Sequence, residues 1–438
     1  MIIKNVQIFD GNPLGKLSDI HISEEGIILG ITESSEICTC SNVINGQGMI
    51  ALPGLTDAHR HVWQAPFKGF AADMMLVEYL NKVAGKIGEA INAEDLYYVN
   101  LYGYLQAAFA GITTVFDWSH IMNSPEYADA AVQAAKDSGV NVLFFHSTSA
   151  VDREKYWSNS TTAHHSDIER IAVRYKNKFS NVKIGMGARG PEFAQMDINK
   201  ADITLANALD IPVSMHIGCS ILGKIHKPVE QLFDSGLLTK NLNLVHCNTL
   251  SDLEFQQIVK AECLVTMTPE AEMQTGLGNP ATRFIRDNPL LKWSVGIDIP
   301  TASTDSLIFQ QRLLLQHYRS VINAGLIDQM ILPMEMPYAA NAFFFDSMEH
   351  ANTYAGFNTS AKIKTGSKAC FSLLKWNELE FDFFASNPTF YYLQESAIDT
   401  VILNGKLAKY HGEWLLHDWE RLQRKVKGIA EKVIAQSV

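Results

Sequence analysis

A chain of 438 residues, 47% hydrophobic and 19% charged, has the composition of a globular enzyme able to bury a large core. Its net charge of −11 excludes the basic footprint that nucleic acid or an anionic membrane surface requires. No run approaches the ~18 consecutive apolar residues of a membrane span. MIIKNVQIFDG at the N-terminus lacks the charged and apolar regions of a signal peptide, so a cytoplasmic location is expected. The six cysteines are scattered without a disulfide framework; they read as reduced thiols, the Cys38-x-Cys40 pair included.

Residues 1–50 read as short strands and hairpins: MIIKNVQIFDG, DIHISEEGIILGI and NVINGQGMIAL alternate apolar and polar residues between Gly, Asn and Asp. Residues 398–416 have the same texture, so the two ends are expected to meet in one small β-structure. The middle alternates differently. AEDLYYVNLYGYLQAAFA predicts a helix stopped at Gly111, and ITTVFD a buried strand. SPEYADAAVQAAKDSG predicts a helix with Ser124 as N-cap, Pro125 at the first position and Gly139 as the stop. The strands NVLFFH, IPVSMHI, LNLVHC, LVTMTP and LKWSVGID follow, interleaved with helical segments. One of these, SDLEFQQIVK, has capping-box spacing from Ser251 to Glu254. Strand and helix alternating over some three hundred residues predict a parallel sheet with helices outside it. With no Gly-rich dinucleotide fingerprint at its start, a closed (β/α)8 barrel is favoured over a doubly wound sheet.

In such a barrel the chemistry sits at the C-terminal ends of the strands. PGLTDAHRHVWQ, residues 53–64, carries His59 and His61, which a strand would point to one face. IPVSMH ends at His216, LNLVH at His246 and LKWSVGID at Asp298. One such histidine is ordinarily a core or rim residue. Four strand ends carrying only histidine and aspartate form an N/N/N/O set suited to zinc or another borderline divalent ion. An open position on that ion would acidify a water.

PGLTDAHRHVWQ, GITTVFDWSH, SMHIG, LVHCNTLSD, SVGID and DTVILNGKL together resemble the amidohydrolase superfamily. Within it they resemble the group of cytosine, guanine and s-triazine deaminases and chlorohydrolases, over nearly the whole chain. The resemblance implies a metal-dependent (β/α)8 TIM barrel over 55–367 and a composite β-sandwich from 1–54 and 368–438. It implies one divalent ion, Zn2+ ahead of Fe2+, on His59, His61, His216 and Asp298, with His246 touching the hydrolytic water or the substrate. It also suggests a homodimer. Arg60, between the paired histidines, must point away from the site.

The group usually has H-x-x-E after the fifth strand, its glutamate passing a proton from water to a ring nitrogen. Here the segment is His216-Ile217-Gly218-Cys219, and a thiol with an ordinary pKa of ~8.5 is a poor replacement. Asp298 is then expected to act as general base and His246 to polarise the bond under attack. In TPEAEMQTGLG, residues 268–278, Glu272 stands at the group's asparagine position and is expected to be the displaced acid/base. Glu270, Cys219, His120, Gln64 and Trp63 are expected substrate contacts, Trp63 by stacking on a flat ring. Arg189 and Glu192, in GARGPEF, either bind a polar substrate or pair with one another. Asp117 reads as structural, Lys183 lies too early in its strand to bridge two metals, and His164-His165 read as an exposed, lid-like loop.

The expected function is a metal-dependent hydrolase of a non-peptide carbon–nitrogen bond in a small polar, cyclic molecule, attacked by hydroxide held on the metal. The alternatives are deamination or dechlorination of an aminated heterocycle and, in another class, a non-catalytic binding protein on the same scaffold.

Overall fold

Eight parallel strands follow one another around the computed structural model, which describes residues 1–34, 42–376 and 388–437. Cys38 and Cys40 lie outside the described residues. Five strands of the N-terminal segment come first: β1 (Ile2–Ile8), β2 (Ser18–Ile22), β3 (Ile28–Glu33), β4 (Val43–Asn45) and β5 (Met49–Pro53). The barrel strands are β6 (Leu55–Arg60), β7 (Ile112–Ser119), β8 (Asn141–Ser147), β9 (Val182–Ala188), β10 (Val213–Ile217), β11 (Leu242–His246), β12 (Leu264–Met267) and β13 (Lys292–Val295). Each pairs in parallel with the next. The two edge strands meet beyond the end of β13: the His61 amide donates to the Asp298 carbonyl (2.8 Å) and the Asp298 amide to that of His59 (2.9 Å). β7 and β8 are buried at every residue, and β8 carries the apolar run VLFF of a strand covered on both faces.

The helix signals are realised locally. The helix Ala93–Phe109 begins at Asn92, whose side chain accepts from the Asp95 amide (2.8 Å), and Gly111 follows it at φ +81°. The helix Asp252–Ala261 has the full capping box: Ser251 Oγ accepts from the Glu254 amide (3.3 Å), and Glu254 Oε2 accepts from the Ser251 amide (2.9 Å). Pro125 opens the helix Pro125–Ser138 and Gly139 ends it at φ +73°, but the Ser124 hydroxyl donates to the Glu126 carboxylate instead of capping.

The chain ends join as expected. Strands β14 (Phe371–Lys375), β15 (Ile398–Leu403), β16 (Lys406–Tyr410) and β17 (Glu413–Trp414) complete a nine-stranded mixed sheet, ordered β17-β16-β15-β14-β5-β1-β2-β3, with β4 on β1. The seam is β5 against β14, with Leu52 opposite Ser372. Ile3, Val6, Ile20, Phe371, Leu373 and Ile402 form part of its own core. Gly54 alone separates this sheet from the barrel, and a Cβ there would come within 2.1 Å of Thr113 Oγ1 and 2.8 Å of the Cys370 carbonyl. The C-terminal helix Trp419–Ser437 leaves the sheet and covers the barrel instead. It packs on the helix Ala93–Phe109, where Trp419 stacks on Tyr102 with ring centroids 5.3 Å apart. Among the described residues no helix is long and apolar enough to cross a membrane.

Candidate active site

The strand-end residues converge. His59 is the penultimate residue of β6 and His61 lies one residue past its end, two residues apart, so both rings face the barrel mouth. His216 lies beside Val245 and Ile217 beside His246 in the β10–β11 register. Asp298 stands three residues past the end of β13 at φ +67°, and His246 ends β11 at φ +82°. Both hold a left-handed backbone that non-glycine residues avoid. Gly296 permits the turn that carries Asp298 in: a Cβ there would sit 2.7 Å from the His59 carbonyl oxygen.

One ligand atom from each of His59, His61, His216 and Asp298 lies within 4.8 Å of the others. His59 Nε2 is 3.1 Å from His216 Nε2, and Asp298 Oδ1 is 3.3 Å from the Nε2 atoms of both His59 and His61. His61 Nδ1 donates to the Trp118 carbonyl (2.6 Å), which leaves its Nε2 as a lone pair facing the cluster. Burial, with the neighbouring imidazoles, holds His216 well below its ordinary pKa and brings His59 down to about 4, despite the pull of Asp298. Burial works against the Asp298 carboxylate, but the surrounding histidines outweigh it and hold its pKa well below the ordinary carboxylate value. Imidazole nitrogens and an ionised carboxylate converging on one point are the donor set of a divalent ion, and these residues fit one.

This arrangement has a pH signature in the metal-free protein. The unfolded chain protonates His59 at its ordinary 6.5, whereas the folded chain does so only near 4. A depressed folded pKa contributes stability that is present above 6.5 and lost as pH falls through 4. Urea midpoints of metal-free protein are therefore expected to fall between pH 6.5 and 4, and His59→Gln to flatten that slope. An unchanged slope would count against a neutral His59.

His246 stands beside the cluster, its Nε2 4.0 Å from Asp298 Oδ2 and its Nδ1 3.3 Å from Glu272 Oε1. Burial disfavours its cation, yet the bond to Glu272 and the charge of Asp298 prevail and raise its pKa. Glu272, fully buried, also accepts from the Thr268 amide (2.8 Å). It therefore lies behind His246, in the first turn of the helix Pro269–Thr275. Glu270 faces elsewhere and accepts from the Thr304 amide (2.8 Å) and Gln310.

Arg60 points away, as expected: its Nε donates to Asp57 (2.7 Å) and its Nη1 to Asp305 (3.0 Å). Trp63, Gln64 and His120 are buried on one wall. Trp63 Nε1 donates to His120 Nδ1 (3.2 Å), and the His120 ring stacks on His61 at 4.1 Å. Gln64 donates to the Tyr79 hydroxyl (2.6 Å) and accepts from Thr301 (3.0 Å). Asp117 accepts from the Tyr104 hydroxyl (2.6 Å), a structural role. Arg189 and Glu192 do not pair with one another. Arg189 donates to Asp202 (2.8 Å), and Glu192 accepts from the Gly218 and Cys219 amides. Cys219 is buried, and burial with the Glu192 charge pushes its thiol far up. Lys183 reaches the Gly356 carbonyl (2.5 Å), away from the site. His164 is buried rather than exposed, its Nε2 3.1 Å from His146 Nδ1.

Two residues of the site escape sequence reasoning. Trp118 fixes the His61 tautomer through its carbonyl and packs edge-on to His216 (4.3 Å). Tyr79 comes from a short turn far from any strand end. A polar cleft of about 700 Å3 is lined by Leu80, Asn81, Val151, Arg153, Lys155 and Trp157. Trp157 packs on Trp118 at 5.6 Å, so two rings separate this cleft from the ligand cluster.

The model of the amidohydrolase family matches residues 50–408. The chain belongs to the amidohydrolase family. It is similar to a 5-methylthioadenosine/S-adenosylhomocysteine deaminase of Thermoanaerobacter pseudethanolicus, 23% identical over 99% of each chain. Among solved structures it resembles an adenosine deaminase from Xanthomonas campestris with bound zinc (TM-score 0.79, 16% identity, 99% and 98% of the two chains). It also resembles a zinc complex of atrazine chlorohydrolase from Arthrobacter aurescens TC1 (0.82, 16%, 98% and 99%). The amidohydrolase is thus a metal-dependent hydrolase of carbon–nitrogen bonds other than peptide bonds, on a barrel of the kind its strand alternation predicts.

Proposed function

We propose that this amidohydrolase removes the exocyclic amino group of an aminated heterocycle, releasing ammonia, and that it works with a single zinc ion on His59, His61, His216 and Asp298. The observation that carries the reading is the ligand cluster with His246 alongside, its far nitrogen held by Glu272. Similarity to an adenine-nucleoside deaminase over 99% of the chain favours deamination over ring opening and makes 5′-modified adenine nucleosides the first substrates to test. A divalent ion held on these four side chains would acidify a water and polarise the bond under attack.

The chain's own residues do the rest. Asp298, ionised within the cluster, accepts a hydrogen bond from the attacking water and orients it. His246, donating from Nε2, stabilises the atom that gains negative charge, and Glu272 fixes its orientation from behind. Trp63, backed by His120, offers a flat face for the heterocycle. Mass spectrometry of products from a panel of aminated heterocycles and cyclic amides tests the reading. Replacement of an amine by oxygen, with ammonia released, is the expected result. A product that has gained one water and kept its nitrogen would make this a ring-opening hydrolase instead.

A further inference from the structure

Hydrolysis of a carbon–nitrogen bond moves protons in both directions: the attacking water loses one and the departing nitrogen gains one. A group that takes and returns that proton must titrate near the working pH and sit beside the reacting atoms. Asp298 is held ionised by the histidines. The Cys219 thiol is held neutral by burial. Glu272 is engaged by the Thr268 amide and His246 Nδ1. Asp117 is engaged by the Tyr104 hydroxyl (2.6 Å) and the Val62 amide (3.3 Å), which leaves Glu192.

Glu192 leaves the end of β9 through Arg189, Gly190 and Pro191, and its carboxylate crosses to the end of β10. There Oε1 accepts from the Gly218 amide (3.0 Å) and the Cys219 amide (3.2 Å), and Oε2 from the Gly218 amide (3.1 Å). Those peptides lie two and three residues past His216. The left-handed φ of +76° at Gly190 brings the loop against the same strand end, where a Cβ would stand 3.3 Å from the His216 carbonyl oxygen. The carboxylate is buried and is paired with no cation among the described residues, Arg189 being committed to Asp202. Oε2 accepts only one bond and keeps a free lone pair. Burial raises its pKa to about 7 against the pull of the two amides.

We propose that Glu192 is the proton carrier of the reaction, reaching from the strand-four loop into the place where the strand-five loop offers only Cys219. This rests on the deamination reading above. As the carbon–oxygen bond forms, the carboxylate takes a proton from the attacking water. As the carbon–nitrogen bond breaks, it gives that proton to the nitrogen, so that ammonia leaves and Glu192 ends as it began.

The test compares wild type, Glu192→Gln, Cys219→Glu and the double variant, with ammonia release from 5′-methylthioadenosine as the activity probe. Glu192→Gln is expected to lower kcat by about 10²-fold or more, with KM little changed, and to remove the limb of the pH profile near 7. Cys219→Glu in that background, which returns a carboxylate from the neighbouring loop, is expected to recover at least about tenfold. A role confined to holding the loop would give no such rescue. Infrared difference spectra supply a readout without substrate: a protonated-carboxyl band titrating near pH 7 in metal-free protein, absent from Glu192→Gln. No ammonia from wild type would overturn the deamination reading and the carrier with it, whatever the band shows. No such band, unchanged kcat in Glu192→Gln, or a loss that Cys219→Glu fails to recover would overturn the carrier.

Discussion

Asp298→Asn is expected to abolish turnover and strip the protein of its metal while leaving the fold in place. The carboxylate contributes twice. It is the only charged donor among the four candidate ligand side chains, 3.3 Å from two imidazole nitrogens, and it lies 4.0 Å from His246 Nε2, where it would orient the attacking water. Misplacing that water alone is expected to lower kcat by about 10²-fold, and loss of the charged ligand adds to that. The fold survives because barrel closure uses the main chain of residue 298, not its side chain: its amide and carbonyl bond to the backbone of His59 and His61, and asparagine keeps both. Metal analysis after gel filtration, with steady-state kinetics and a thermal melt, decides it. The expected pattern is metal and turnover lost with the melting temperature of the metal-free protein unchanged. Full metal occupancy with normal kcat would remove Asp298 from the site.

Much of this was legible in the sequence, and what was not has a physical cause. Short apolar runs located most of the barrel strands, because strands covered on both faces are rich in apolar residues. The polar residues that end them stood out for the same reason. LKWSVGID was legible as a strand, but that β13 stops at Val295 and Asp298 is delivered by a left-handed turn was not. That geometry depends on Gly296 lying against the His59 backbone, a contact across the barrel. Arg189 and Glu192 are three residues apart and of opposite charge, so local reasoning left substrate binding and mutual pairing both open. Their partners, Asp202 and the 218–219 peptides, come from other elements. Glu272 was read as a group acting on substrate, and its position behind His246 depends on where the helix Pro269–Thr275 begins. Trp118 and Tyr79 act through a carbonyl and a hydroxyl whose direction no spacing encodes. Hydrophobic patterning finds elements, and long-range packing assigns roles.

Arg60→Met shows how far the site depends on a residue that points out of it. Arg60 is fully buried between Asp57 and Asp305. Asp57 in turn accepts from the Ile297 amide (3.1 Å) and the His59 amide (3.3 Å), the two backbones that carry the ligands of β6 and β13. Removing the cation leaves Asp57 buried without its counter-charge, and breaking such a pair costs about 3–5 kcal/mol. The effect should also depend on pH in a definite direction. Burial already raises the Asp57 pKa above its ordinary 3.8, with Arg60 offsetting part of the rise. Without Arg60 it rises further. A carboxyl with a raised folded pKa contributes stability that is present at low pH and lost as pH rises through that value. The gap between Arg60→Met and wild type is therefore expected to be widest at neutral pH and to narrow on acidification, measured as the difference in urea unfolding free energy across the pH range. A gap that is constant with pH, or widens in acid, would mean that methionine disturbs packing alone and that the Asp57 charge does not organise the site. With the gap narrowing, metal affinity at neutral pH should fall together with stability, because the same carboxylate holds the His59 and Ile297 peptides in place.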